Sequence, residues 1–318
     1  LMKINVDSKL IIVPILTLVF NFFMYFVSPI VLNFFHIGKD TSTGRTLMML
    51  LPSLAPGLSC FPFIAEFLGE ESLAMAAMAD VGNKFFVLIF LYIIAMNMFL
   101  KNNESEESNM GDKIKSLLLN LVQEPINIVL FVAFLLLAFG FNYKSLPSLV
   151  QEIFDKTSAM MTPLVLMFIG LAVQLKEGKK RVVVSVLFIR AGLSLLFSSI
   201  IIAAFGISKS TDVLLAVAIP LSSASFWPFA HISAFHLKEE VKKVAKDKRT
   251  FDLELAVLVL AFSLPFSTIL ILGILSAGAL FTHLPAIIIT GIVLIVLGSI
   301  PLLVRRPVLQ LSKITGQR

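Results

Sequence analysis

Two long apolar stretches of this chain are interrupted where a buried helix should be most regular. Residues 50–63 read LLPSLAPGLSCFPF, and residues 218–229 read AIPLSSASFWPF. Each sets two or more prolines beside a cluster of Ser, Gly or Cys. Proline removes a backbone donor and collides with the preceding turn, so each stretch is predicted to break or unwind near its centre. In hydrocarbon the freed amides and carbonyls cost several kcal/mol apiece unless they line a protein-enclosed or watery cavity. A pair of such segments at corresponding places in two half-chains points to the binding region of a secondary transporter. The plainer alternative is two ordinary proline kinks, which membrane helices tolerate.

The setting is hydrocarbon because the composition demands it. Of 318 residues, 58% are apolar and 14% charged, and the mean hydropathy is +0.95. Soluble domains run near 45–50% apolar and about 25% charged, so the fold class is an all-α polytopic membrane protein. One cysteine, Cys60, excludes an internal disulfide and a cysteine metal cage. The net charge of +6 is no nucleic-acid footprint, because Lys and Arg sit in short loops between apolar runs. The first apolar run, 10–36, is too long for the core of a signal peptide.

Hydropathy predicts nine spans: 10–36, 47–67, 73–100, 126–141, 159–175, 182–206, 213–237, 253–275 and 285–304. Between them, 101–123 reads as a cytoplasmic linker that opens acidic and polar and closes on a short interfacial helix. Lys and Arg number 19 on one set of alternate loops and 5 on the other. That bias places the N-terminus outside and the C-terminus in the cytoplasm of a cell (inner) membrane.

The two interrupted segments begin matching runs: broken helix, Pro-Phe, a polar loop with Glu-Glu, then an acidic entry to a long apolar helix. The charge count sends them through the membrane in opposite senses. This is the pattern of an inverted repeat with two crossed broken helices, a partial first repeat at 1–100 and a second at 124–280. The second repeat holds five spans and the first only three, and the chain opens with Leu1. An N-terminally truncated sequence lacking two helices is therefore expected; the other reading is a short variant whose second half gained two. The helix at 285–304 is extra to the plan and is expected to lie outside the functional core.

At this point the chain resembles the auxin efflux carrier family of permeases, which includes bacterial carboxylate carriers. The resemblance is carried by FPF with GEESLAMAAMADVGN at 61–83 and by Glu124–Pro125. It continues through MTPLVLMFIGLAVQL at 161–175, the prolines of 218–229 and DLELAVLVLAF at 252–262. It implies ten helices in two inverted five-helix repeats, of which this chain holds the third to the tenth. It also implies a bile-acid-symporter-like plan and transport of small organic anions such as carboxylates.

Amide ends of half-helices carry partial positive charge and carbonyl ends partial negative charge, so an anion is drawn to the first and a cation to the second. The candidate substrate-binding set is Pro56, Gly57, Ser59 and Pro62 in the first break, and Pro220, Ser222, Ser223, Ser225 and Pro228 in the second. Asp80, Asn83 and Lys84 join it from one face of the following helix, as their i, i+3, i+4 spacing dictates. Lys84 could counter an anion, or Asp80 carry a coupling proton; the bland alternative is an internal Asp80–Lys84 pair. Arg190 is expected to snorkel to the inner face or to counter Asp252 or Glu254. His231 reads as a packed neutral histidine or a titrating gate, and Glu66 as solvated. No hydrolase, metalloprotease or nucleotide motif is present, so neither an enzyme nor a cofactor is expected. The partners implied are a small organic anion, a coupling H+ or Na+, and membrane lipid, and the class is compatible with a homodimer. Two other functions stay open: a sodium- or proton-coupled symporter or antiporter, and a membrane sensor or scaffold that carries nothing.

Overall fold

The computed structural model describes residues 8–103, 145–153, 155–157 and 177–315, with the single positions 132, 139, 160 and 167. Apart from those single positions, the expected spans at 126–141 and 159–175 lie outside the described residues, as do Glu124–Pro125 and 104–123 of the expected linker, whose first three residues, 101–103, end a helix. Every regular element among the described residues is helical. In chain order the α-helices are α1 (Ser8–Phe34), α2 (Ser42–Leu50), the single turn α3 (Pro56–Ser59), α4 (Phe61–Phe85), α5 (Leu91–Asn103), α6 (Glu177–Phe205), α7 (Ser210–Ala218), α8 (Phe226–Val241), α9 (Leu253–Ser276) and α10 (Leu284–Thr315).

Four continuous helical runs are long and apolar enough to cross a membrane: Ile12–Phe34, Phe61–Asn103, Lys180–Phe205 and Leu253–Ser276. A shorter apolar run occupies Leu284–Ile300. The second run departs from expectation. A polar loop was predicted between 67 and 73, but α4 passes through that region with only Gly69 outside helical geometry, at φ 82 and ψ 179. That conformation is open to glycine and closed to L side chains, so the helix changes direction within one residue. Farther on, Phe86–Phe90 forms a π turn that joins α4 to α5.

Both predicted interruptions are present. The first runs from Leu51 to Ala55 between α2 and α3, and the second from Ile219 to Ser225 between α7 and α8. The prolines divide the labour differently than the sequence suggested. Pro56 stands at the first position of α3 and Pro62 in the first turn of α4. Pro228 lies in the first turn of α8. Their missing N–H groups would be unpaired there in any residue, so Pro62 and Pro228 start helices rather than break them. Of the four candidate prolines, Pro220 alone sits inside an interruption.

Two apolar clusters form the interior. One gathers Leu32, Leu47, Leu91, Phe235 and Val259; the other Phe20, Ile64, Leu195, Val217 and Ile271. The interruptions lie where these meet, with Leu51 and Ala224 in the first cluster and Leu54 and Leu221 in the second. The extra C-terminal helix is no appendage. α10 lies along α6 so closely that a Cβ on Gly298 would come within 2.7 Å of the Ser185 carbonyl oxygen, and one on Gly192 within 2.5 Å of the Gly291 carbonyl oxygen. Small residues at a helix contact permit this approach. Residues 285–300 are thus packed tightly on α6.

Candidate functional site

An interruption in an apolar interior must find partners for its backbone groups. Here each interruption supplies partners for the other. The Ala55 N–H donates to the Ser223 carbonyl at 2.8 Å. The Ser223 N–H donates to Ser59 Oγ at 2.9 Å, and the Ser225 N–H to Ser53 Oγ at 3.0 Å. Flanking helices add the rest. Ser263 Oγ on α9 accepts from the Ala224 N–H at 3.2 Å. Asn83 on α4 holds Leu54 at both ends, accepting from its N–H at 3.0 Å and donating to its carbonyl at 2.8 Å.

Arg190, from the middle of α6, closes the arrangement. Its Nε donates to the Leu51 carbonyl at 2.9 Å, one terminal nitrogen to Ser53 and the other to Ser222, both at 2.8 Å. The residue is 3% exposed. It neither snorkels nor reaches Asp252 or Glu254. Asp252 instead caps α9, accepting from the Leu255 N–H. Among the described residues no carboxylate forms an ion pair with Arg190. Its partners make electrostatic sense: α2 and α7 both direct their C-terminal ends at the junction, and each such end carries roughly −0.5 of a charge. One guanidinium offsets two of them.

Behind Asn83 a buried polar chain continues. Asn21 of α1 donates to Asn83 Oδ1 at 3.1 Å, and Asn83 Nδ2 donates to Asp80 Oδ1 at 3.0 Å. Asp80 pairs with Lys84 at 3.0 Å, the carboxylate side chain 10% exposed and the lysine 54%. The internal ion pair is therefore formed. His231 is 1% exposed and its Nε2 lies 2.9 Å from the Val87 carbonyl oxygen in the π turn. A carbonyl only accepts, so Nε2 carries a proton. The ring packs on Tyr92. Glu66 is exposed.

The sequence-derived set is thus partly assembled. Ser59, Ser222, Ser223, Ser225, Pro220 and Asn83 converge on the junction. Ser222 Oγ turns back to the Ile219 carbonyl, and Ser225 caps α8 through the Trp227 N–H. Gly57 is exposed, with nothing within 4 Å of where its Cβ would stand. Pro56, Pro62 and Pro228 mark helix starts around the junction. Four contributors were missed: Asn21, Ser53, Ser263 and the true role of Arg190. Ser53 lies within the first motif, and Asn21 is a polar residue in an apolar span, so both carried a readable signal.

A cavity of about 640 Å³ reaches the junction from one side. It runs from Lys209 and Asp212 at one end of α7 to Ile219, Pro220 and Leu54 at the other. Its walls are apolar residues of α1 and α6, Phe20 and Phe197 among them, relieved by Thr17 and Ser198. Lys209 at the mouth lies 3.8 Å from both Glu71 and Asp212. Comparison with family profiles, with curated proteins and with solved structures returns no match.

Proposed function

We propose that the chain is a secondary transporter for small organic anions such as carboxylates, of the inverted-repeat plan that its resemblance to auxin efflux carriers implies. One observation carries the reading: Arg190 donates to carbonyls of both interruptions, those of Leu51 and Ser53 just past the end of α2 and that of Ser222 past the end of α7. With those negative ends offset by a fixed cation, the poles left over at the junction are the amide starts of α4 and α8, which favour an anion. The cavity that ends at Pro220 gives such a substrate a route. In the charge-bias topology Lys209 lies on the outer side, so this route opens outward, with the C-terminus cytoplasmic. Movement of the junction past the surrounding helices would then expose it to the other side.

The test is flux. The protein reconstituted in vesicles should accumulate a labelled small carboxylate, with succinate and benzoate as probes of two sizes, down an imposed gradient. Empty vesicles should not. Absence of flux for every anion tried, with correctly inserted protein, would favour a sensor or scaffold.

A further inference from the structure

We infer that Arg190 stands in place of a mobile coupling cation, so that the anion site at this junction operates without sodium; the inference rests on the transport reading above. Three carbonyl oxygens from two separate interruptions, those of Leu51, Ser53 and Ser222, converge on one guanidinium at 2.8–2.9 Å. Unwound carbonyls and helix C-terminal ends are the groups that hold a coupling cation in broken-helix carriers. Here a covalently attached cation has taken them. Arginine stays protonated under all ordinary conditions, so this charge neither leaves nor exchanges with transport.

The neighbours of the junction support the same conclusion. The Ser222 and Ser53 hydroxyls donate to the Ile219 and Leu50 carbonyls at 2.6 and 2.7 Å, and Ser53 Oγ also accepts from the Ser225 N–H. The Ser59 hydroxyl donates to Ala55 and accepts from Ser223. The Leu54 carbonyl belongs to Asn83. Among the described residues each of these oxygens already has a hydrogen-bond partner in the protein, so a sodium ion would have to compete with the guanidinium and with these hydrogen bonds.

The experiment uses purified protein and chloride salts of sodium, potassium and choline at constant ionic strength. The wild type should show the same melting midpoint, and the same succinate or benzoate flux, in all three. Arg190→Ala strands three buried carbonyls and should lower the midpoint by roughly 10 °C. Millimolar guanidinium, which matches the lost group, should recover part of that loss, and choline none. Arg190→Lys, a smaller donor set of the same charge, should fall between the two. A midpoint or flux of the wild type that rises with sodium over choline overturns the inference. So does an Arg190→Ala protein that keeps its midpoint, or one that guanidinium leaves unrescued. Where Arg190→Ala does not fold, the wild-type series and Arg190→Lys decide: a sodium-dependent midpoint in either overturns it, and indifference in both supports it. Failure of all flux in every salt counts against the transport reading, whereas the midpoints judge Arg190 separately.

Discussion

Replacing Asn83 tests whether the first interruption is held open by side chains or merely tolerated. Its amide meets both backbone groups of Leu54, at 3.0 and 2.8 Å, in a site where Asn83 is 2% exposed. Asn83→Ala leaves that N–H and carbonyl unsatisfied, each at a cost of about 1–3 kcal/mol, so the loss should reach about 2–6 kcal/mol. Asn83→Leu keeps the volume and isolates the hydrogen-bond part from the cavity part. Cys60, the only cysteine, is fully buried beside the interruption and serves as the probe. A thiol-reactive fluorophore should label it only when this region opens. The apparent midpoint should drop by roughly 5–15 °C. Where opening precedes labelling in rapid equilibrium, a 2 kcal/mol loss speeds the reaction about 30-fold. Asn83→Leu with an unchanged midpoint and unchanged Cys60 labelling would refute the reasoning, because Leu54 would then be satisfied by other means.

The remaining predictions address other elements. Lys84→Ala should destabilise more than the double change with Asp80→Asn, because the single change strands the largely buried carboxylate; with Lys84 half in the open, the coupling should be near 1 kcal/mol in a double-mutant cycle. Pro62→Ala and Pro228→Ala should each shift the melting midpoint by less than about 3 °C, since a first-turn proline gives up no hydrogen bond. Gly298→Leu should cost about 1–3 kcal/mol in thermal unfolding, because its Cβ would press on the Ser185 carbonyl and Ile189. A cysteine introduced between 240 and 248 should react with an impermeant reagent only from the cytoplasmic side, as the charge bias requires. Labelling from outside would reverse the orientation proposed here.

How far the chain announces this arrangement depends on what kind of bond each residue makes. Hydropathy located α1, α6, α9 and α10 because burial in an apolar phase acts on every residue of a span. The interruptions were legible because proline and clustered small residues leave a mark on the backbone. Which proline did the breaking was not legible: Pro62 and Pro220 look alike in sequence, and only the register of the helix start tells them apart. The Asp80–Lys84 pair could be read from spacing, since both partners lie on one helix and i, i+4 geometry is fixed. Arg190 could not, since its partners are carbonyls, which every residue owns, and they lie more than 130 positions away in the first interruption. Gly69 was hidden by its surroundings, because GEES reads as a loop until the packing of α4 is known.

The last helix shows what a count of spans leaves out. Counted against a repeat, α10 is surplus, and surplus suggests a removable addition. Packing gives a different answer. Gly192 lies two residues beyond Arg190 on α6, and its contact with Gly291 fixes that part of α6 against α10 at backbone distance. Ile189, the neighbour on the other side, packs against Gly298. The stretch of α6 that aims the guanidinium at Leu51, Ser53 and Ser222 is therefore held on both sides by α10. A fixed cation works only if its position is fixed, because carbonyl bonds near 2.8 Å weaken steeply with misalignment. The last helix thus sets the geometry of the residue that ties the two interruptions together.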